Sequence, residues 1–436
     1  MEIRYWNKEV ETASPERIKE IQLERLKKIV AAAFKTQFYS KRLPAVGINS
    51  PDDIKSLDDL RRIPFTMKDD LRQSYPKGLL AVDTSEVVRI HTSSGTTGIP
   101  TVIYLSANDL NAATDLMARS ITCTGADKTD ILQNMMSYGM FTGGLCMHYG
   151  AERVGMMVIP AASGNTKRQV QLMKDFRTTV LHVTPSYLLH IHSKLPELGI
   201  PLKDLALKKA FIGAEPHSEN TRKKLESLYN IDAYNSYGLS EMNGPGIAFE
   251  CQYKKDLHFW EDSYIVEIIN PKTGELVKDG EQGEVVLTNL IRSAMPLMRY
   301  RTRDLAYLHT EPCECGRTHR RMSRIMGRSD DMLIINGVNV FPSQIEEVIM
   351  RVPEVGTNYQ ILVEKQGALD RLVVKVELYP KMFLGEAKQI EQVKARISDE
   401  LKASITIKPA IELHEQGTLP VSEGKAVRVV DTREKL

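Results

Sequence analysis

Between His91 and Thr101 the chain reads H-T-S-S-G-T-T-G-I-P-T. Ser93, Ser94, Gly95, Thr96, Thr97 and Gly98 are adjacent small or hydroxyl residues that follow the strand-like run V-V-R-I. Such a loop buries almost no apolar surface. Its glycines free backbone N–H groups and its hydroxyls add donors beside them, which suits an anion such as phosphate. It is not a Walker loop, which requires lysine after the second glycine, where Ile99 stands. A second group with chemical potential is Cys313-Glu314-Cys315-Gly316, two thiols at C-x-C spacing in a glycine-bearing turn. Cys251 and His258 add a thiolate and an imidazole, completing the donor set of a tetrahedral zinc site. His309 and His319 compete for the fourth position. A closed four-ligand site leaves no room for substrate, so this zinc is expected to be structural, clamping a loop of about sixty residues. Cys123 and Cys146 lie in apolar surroundings and read as small core hydrophobes.

The elements that must position these groups can be read from periodicity. From about residue 85 to 290, short β-branched runs alternate with helical patterns. Strands are expected at 87–90, 101–104, 156–159, 179–183, 209–212 and 231–237, with helices at 166–176 and 219–229. That alternation argues for an α/β layered domain with a largely parallel sheet, whose ligands sit at the carboxyl ends of strands. Residues 263–309 change to short strands with turns at 270–274 and 278–281, a β-rich subdomain. After Gly327 the pattern resets to a strand at 332–335, a helix at 342–351, strands at 359–363 and 372–378, a helix at 388–403 and a strand at 410–413. This is a compact α+β unit of about a hundred residues. The polar Arg328-Ser329-Asp330-Asp331 marks the boundary, giving domains 1–328 and 329–436. Near the N-terminus, Ser14-Pro15 forms a cap and first turn for a helix whose stripe is Ile18, Ile21, Leu26, Ile29 and Phe34.

Further stretches join the opening loop in a fixed order. They are Y-N-S-Y-G-L-S-E from Tyr234 to Glu241, R-Y-R-T-R-D from Arg299 to Asp304, G-R-S-D-D from Gly327 to Asp331, and L-P-V-S-E-G-K from Leu419 to Lys425. In this order the set resembles the adenylate-forming superfamily, the acyl-CoA synthetases and their relatives, over most of the chain. S-S-G-T-T-G followed by Ile99-Pro100-Thr101, S-Y-G-M-F-T-G-G from Ser137 to Gly144, and R-I-M-G-R-S-D-D-M-L-I-I-N-G-V-N-V-F-P from Arg324 to Pro342 are most similar to its phenylacetate–CoA ligase branch.

The resemblance implies a two-step reaction. ATP and a carboxylate give an acyl-adenylate and pyrophosphate, and coenzyme A then displaces AMP to form a thioester. It implies that Ser93 to Gly98 hold the β and γ phosphates. Much of the superfamily carries a lysine after the proline; position 101 is Thr here, so phosphate charge must be met elsewhere. By the same resemblance Glu241 ligates Mg²⁺, a hard cation suited to a carboxylate, and Asp304 accepts from both ribose hydroxyls. An ion pair from Arg301 or Arg303 is the competing role for Asp304. Gly213, Ala214, Glu215 and Pro216, with Asn235, Ser236, Tyr237 and Gly238, frame the adenine, and Tyr237 stacks on it. Arg328 reaches the phosphate or ribose. Lys425 stabilises charge on the α phosphate during attack. Asp330 acts as the hinge about which the small domain swings between adenylating and thioester-forming poses. Tyr138, Met140, Phe141 and Gly143, with Thr142 and Gly144, combine aromatics with glycines into a flat slot for an aromatic ring.

Composition fits such an enzyme and excludes other classes. The 436 residues exceed one core, and 42% are hydrophobic and 26% charged. Lys and Arg total 58 against 56 acids, a net charge of +2 that gives no argument for nucleic acid or an acidic membrane. No apolar run reaches spanning length. Five cysteines make no disulfide framework, so a reduced cytoplasmic setting is expected. The leading expectation is a ligase that adenylates phenylacetate and transfers it to coenzyme A; a homodimer is implied by the resemblance. Alternatives are another aromatic acid such as indoleacetate or hydroxyphenylacetate, a non-CoA acceptor such as an amine or carrier-protein thiol, and a nucleotide-binding regulator without turnover.

Overall fold

Ser14 accepts from Arg17 N and Pro15 occupies the first turn, so the helix Pro15–Ala33 begins at its expected cap, burying Ile18, Leu26 and Ile29. The structure, a computed structural model, describes residues 2–93, 100–366, 369–383, 387–420 and 426–433. The chain forms two compact units: Met1–Ala162 with Tyr234–Arg324, and Ser163–Ala233 with Ile325–Leu436.

In the first unit, Val87–Thr92 and Val102–Ser106 pair antiparallel as a two-stranded ribbon. The sequence suggested that both belong to a largely parallel sheet. The loop joining them is too short for the parallel crossover, which needs about a dozen residues or more. Ser106 then caps the helix Ala107–Thr122, with Asp109 answering from the third helical position. Ile131–Asn134 and Met157–Ile159 are parallel, joined through the helix Thr142–Val154. After Asp232–Leu239 the chain turns back antiparallel through Gly244–Glu250 and Leu257–Phe259, with Arg321–Met322 and Leu308–His309 completing the run. The β-rich stretch forms an antiparallel sheet of Tyr264–Ile269, Gly283–Asn289 and Tyr300–Ala306. Trp260, Phe249, Phe259 and Tyr264 are fully buried in this unit.

In the second unit, Val180–Val183 and Lys209–Gly213 are parallel, and the helix Glu219–Tyr229 occupies its expected bounds. The C-terminal part is a four-stranded sheet. Val355–Gln366 pairs antiparallel with Leu369–Leu378 and parallel with Val429–Asp431, while Ala410–Glu415 lies parallel to Leu369–Leu378. Helices Pro342–Arg351 and Ala387–Ile405 supply Ile345, Ile349, Ile397 and Leu401 to a core shared with Ile361, Val374 and Val376. Among the described residues no helix is long and apolar enough to cross a membrane.

Candidate active site

The hydroxyl- and glycine-rich loop leaves the strand Val87–Thr92 and returns into Val102–Ser106, so its two ends are held by a strand pair. Ser94, Gly95, Thr96, Thr97, Gly98 and Lys425 lie outside the described residues. The base of the loop is closed by Ser93 N donating to Thr101 O at 3.1 Å and Thr101 N donating to Ser93 Oγ at 3.1 Å. Thr101 Oγ1 lies 3.5 Å from Glu241 Oε1, so the loop base and the carboxylate expected to hold magnesium adjoin. Glu241 is buried at the end of the strand Asp232–Leu239, in the short helical turn Ser240–Met242. Lys68 Nζ stands 3.5 Å from the same carboxylate oxygen. Behind it, Arg292 is completely buried, with Nη1 donating to Asn243 Oδ1 at 3.1 Å and Nε to Met295 O at 2.8 Å. Burial lowers the Arg292 pKa, while the fields of Asp109 and Glu241 act in the opposite direction.

Asp304 is buried on the strand Tyr300–Ala306 and accepts from Tyr237 Oη at 2.7 Å. Arg301 instead makes a bidentate pair with Glu284 at 2.9 and 2.7 Å, and Arg303 Nη1 lies 3.6 Å from Glu284. Glu284 is fully buried. Both arginines flanking Asp304 thus neutralise another acid. Asn235 N donates to Glu250 Oε2 at 2.7 Å, fixing the strand that carries Asn235, Ser236, Tyr237 and Gly238. Gly238 has its own packing reason: a Cβ there would meet Gly244 O at 2.0 Å.

The segment expected to hold the acid adjoins the same neighbourhood. Met140 O accepts from Thr92 N at 2.9 Å and lies 3.1 Å from His91 Nδ1, tying it to the strand before the loop. Burial lowers the His91 pKa, favouring the neutral ring. Thr142 Oγ1 donates to Ser240 Oγ at 3.1 Å, tying the segment to the Glu241 turn. Tyr138 is half-buried, its hydroxyl 2.9 Å from Asn134 Nδ2 and 3.1 Å from His148 Nδ1. Burial pushes its pKa up to about 12. Met140 and Phe141 are 50% and 44% exposed, and Gly143 is partly exposed. Gly144 is required by packing, since a Cβ there would lie 2.5 Å from Ser137 O.

Within the second unit, Gly213, Ala214, Glu215 and Pro216 follow the strand Lys209–Gly213. Ala214 holds a left-handed φ of +66°, a conformation that a non-glycine residue keeps only when its surroundings enforce it. The next residue, Glu215, accepts from Ser186 N at 2.7 Å, Ser186 Oγ at 3.0 Å and Ala426 N at 3.0 Å. Arg328 forms a bidentate pair with Asp330 at 2.8 and 2.9 Å. Glu346 is buried and accepts from Ser218 N at 3.0 Å, Thr221 Oγ1 at 2.5 Å and Tyr359 Oη at 3.0 Å.

Cys251, His258, Cys313 and Cys315 converge in the first unit, all buried, their donor atoms within 4.8 Å of one another. Cys251 Sγ is 3.7 Å from Cys313 Sγ, and Cys315 Sγ is 3.2 Å from His258 Nε2. Sulfur atoms on one tetrahedral zinc stand about 3.8 Å apart, given bonds of about 2.3 Å. The donors therefore fit a zinc ion, and the 3.7 Å separation is far from a disulfide. His258 Nδ1 lies 3.2 Å from His319 O, a backbone partner that leaves Nε2 facing the thiols. The neighbouring Cys251 and Cys313 thiols and the His258 ring hold Cys315 far below the usual thiol range. The competing histidines are engaged elsewhere: His309 Nε2 is 2.5 Å from Asp256, and His319 Nδ1 accepts from Glu261 N at 3.0 Å. Cys123 is buried as expected, whereas Cys146 is only partly so because its helix faces the Glu241 turn, with Sγ 3.6 Å from Pro245 O.

Lys68, His91 and Arg292 were missed by sequence reasoning, and Thr142 was read as part of the ring slot, not as a tie to the Glu241 turn. Only Lys68 had an indirect signal, the threonine at position 101 where a cation was wanted.

Similarity to known proteins follows this geometry. The AMP-binding enzyme family matches residues 26–293, and the AMP-binding enzyme C-terminal domain matches residues 337–433. A phenylacetate-coenzyme A ligase of Thermus thermophilus is 43% identical over 440 residues, covering 98% of this chain and 99% of the relative. One from Pseudomonas putida is 44% identical over 426 residues, covering 97% and 96%. A solved structure of 2-hydroxyisobutyryl-CoA ligase, in the postadenylation state in complex with 2-HIB-AMP, superposes with a TM-score of 0.93 at 26% identity, covering 98% of this chain and 92% of that one.

Proposed function

Because the chain belongs to the AMP-binding enzymes, within the phenylacetate–coenzyme A ligase family, we propose that it adenylates phenylacetate with ATP and passes the acyl group to coenzyme A. The observation that carries this reading is the 43% identity extending over 98% of the chain and 99% of the Thermus relative. In the first step a carboxylate oxygen of the acid attacks the α phosphorus and pyrophosphate leaves. In the second the coenzyme A sulfur attacks the acyl carbon, AMP leaves, and the thiol proton is lost.

The residue roles follow from that chemistry. Ser93 to Gly98 surround the outer phosphates with hydroxyl and backbone donors, and Thr101 closes the loop base beside Glu241. Glu241 is the buried carboxylate that would hold Mg²⁺, which when bound neutralises phosphate charge. Asp304, oriented by Tyr237 while Arg301 and Arg303 face Glu284, accepts from the ribose. By the family's chemistry the adenine is assigned to Gly213, Ala214, Glu215 and Pro216 in one unit and to Asn235, Ser236, Tyr237 and Gly238 in the other. Tyr138, Met140, Phe141 and Gly143 face the acid, Arg328 binds phosphate or ribose, and Asp330 is the hinge. Lys425 balances charge on the α phosphate in the transition state. Cys251, His258, Cys313 and Cys315 would hold a structural zinc, which would clamp the β-rich stretch. We place the enzyme in the cytoplasm as a homodimer; the free cysteines support a reduced compartment, and gel filtration tests the dimer.

The test is pyrophosphate release from Mg-ATP with a panel of aryl and alkyl acids, each with and without coenzyme A. Release confined to arylacetates, with thioester formed when coenzyme A is added, is expected. Preference for a different aromatic acid, or adenylate without thioester, would overturn the substrate or the acceptor respectively.

A further inference from the structure

We infer that Lys68 is the cation that meets the outer phosphates of ATP, in place of the lysine that the loop lacks at Thr101. The inference deepens the proposed ligase function and rests on it for the identity of the nucleotide. Its ground is a juxtaposition. Lys68 Nζ lies 3.5 Å from Glu241 Oε1, and Thr101 Oγ1 lies 3.5 Å from the same oxygen, while Thr101 N and O bond Ser93 at the loop base. The lysine therefore stands at a carboxylate that also touches the base of the loop.

Its backbone is fixed independently of that contact. Thr66 N donates to Arg299 O at 2.9 Å, Thr66 Oγ1 to Met298 O at 2.8 Å, and Arg301 N to Thr66 O at 3.0 Å. These bonds splice the chain just before Lys68 onto the strand that carries Asp304. Asp70 Oδ2 accepts from Met67 N at 2.7 Å and sets the start of the helix Lys68–Gln73. The side chain of Lys68 is 46% exposed, against 7% for Glu241, so it reaches in from the solvent side over a buried acid. Arg292, fully buried and held by Asn243 and Met295, also acts electrostatically on Glu241.

The two acceptors of Lys68 exclude each other in time. Without nucleotide its ammonium neutralises Glu241. With Mg-ATP bound, Glu241 would serve the cation and the Lys68 ammonium would be left available to the phosphates. A lysine suits this exchange, as a compact charge on a flexible stem. It stabilises ATP and departing pyrophosphate alike, and has nothing to bind once the adenylate has formed.

The test uses calorimetric titration of the full chain with Mg-ATP, Mg-pyrophosphate and AMP, for the wild type, Lys68→Met and Lys68→Arg. Lys68→Met should weaken Mg-ATP and Mg-pyrophosphate by about tenfold or more, the usual weight of a hydrogen bond to a charged group. AMP affinity should stay within about twofold, since AMP lacks the outer phosphates, and Lys68→Arg should recover part of the loss. Conversion of supplied acyl-adenylate to thioester should also persist. Unchanged Mg-ATP affinity in Lys68→Met, or an equal loss for ATP and AMP, would overturn the assignment, the latter by showing a merely structural prop. A wild type that binds Mg-ATP yet releases no pyrophosphate with phenylacetate would sink the substrate reading and leave the Lys68 comparison standing. A wild type that binds no Mg-ATP would overturn both.

Discussion

Substituting Cys313→Ser removes one of four converging donors, and the size of the effect can be worked from chain separation. Cys251 and Cys313 are 62 residues apart in sequence, and their sulfurs stand 3.7 Å apart. A clamp closing a loop of that length restricts the unfolded chain by about 4 kcal/mol on the chain-entropy relation used for cross-links. Metal bound only by the folded state adds to this through linkage. The variant should therefore lose about 4 kcal/mol or more of unfolding free energy and fall well below the one zinc per chain expected of the wild type. Urea unfolding read by tryptophan fluorescence reports this directly, because Trp260 stacks near His258 with ring centroids 6.4 Å apart. Elemental analysis of the same samples gives the metal content. A chelator should bring the wild type toward the variant and leave the variant nearly unmoved. Since the site keeps no open position, pyrophosphate release per folded chain should hardly change. Wild type free of metal and fully stable, with Cys313→Ser unfolding at the same urea concentration, would refute the reasoning.

Asp304→Ala should raise KM for ATP by about tenfold or more, while Tyr237→Phe, which removes only the orienting hydroxyl, should do so by a few-fold; equal effects in steady-state assays would mean that the pair acts only in packing. Glu346→Ala strands the Ser218, Thr221 and Tyr359 donors and should destabilise the second unit by about 2–4 kcal/mol, whereas Glu346→Gln keeps an acceptor and should be nearly neutral. Burial raises the Glu346 pKa, against the bonds from Thr221 and Ser218, the charge of Arg428 and the bond from Tyr359. The native state thus holds this proton more tightly than the unfolded chain, and its contribution to stability falls as pH rises above the ordinary carboxyl range. Glu346→Gln should accordingly gain on the wild type between about pH 4.5 and pH 7, and a difference independent of pH in urea titrations would contradict the burial argument.

Local signals in the sequence carried far where local physics decides. Ser14-Pro15 started its helix, and Glu219–Tyr229 and Pro342–Arg351 lie at the bounds their periodicity gave. The convergence of Cys251, His258, Cys313 and Cys315 was legible because thiols and imidazoles at such spacings have few other joint uses. The pairing partner of a strand is a different matter. V-V-R-I and T-V-I-Y look like any two strands of an α/β domain, and only the length of the loop between them forbids parallel pairing. Side-chain partners distant in sequence were less legible still. Nothing near Asp304 indicates that Arg301 is taken by Glu284, and nothing near Lys68 points to Glu241. Glycine was legible as small but not for its reason: Gly238 and Gly144 leave room for carbonyls of their own backbone, independently of any ligand.

Glu215 ties the turn at Gly213–Pro216 to two other segments. One carboxylate receives Ser186 on one side and Ala426, next in sequence to Lys425, on the other. Two events that bias one bonded element are bound by reciprocity: if the turn frames the base as proposed, whatever free energy base binding lends to the Glu215–Ala426 bond, that bond must lend to base binding. On the proposed function, a swing that broke this bond before the thiol step would loosen the turn's hold on the AMP about to leave. Product release and the change of step would share one carboxylate as their accountant.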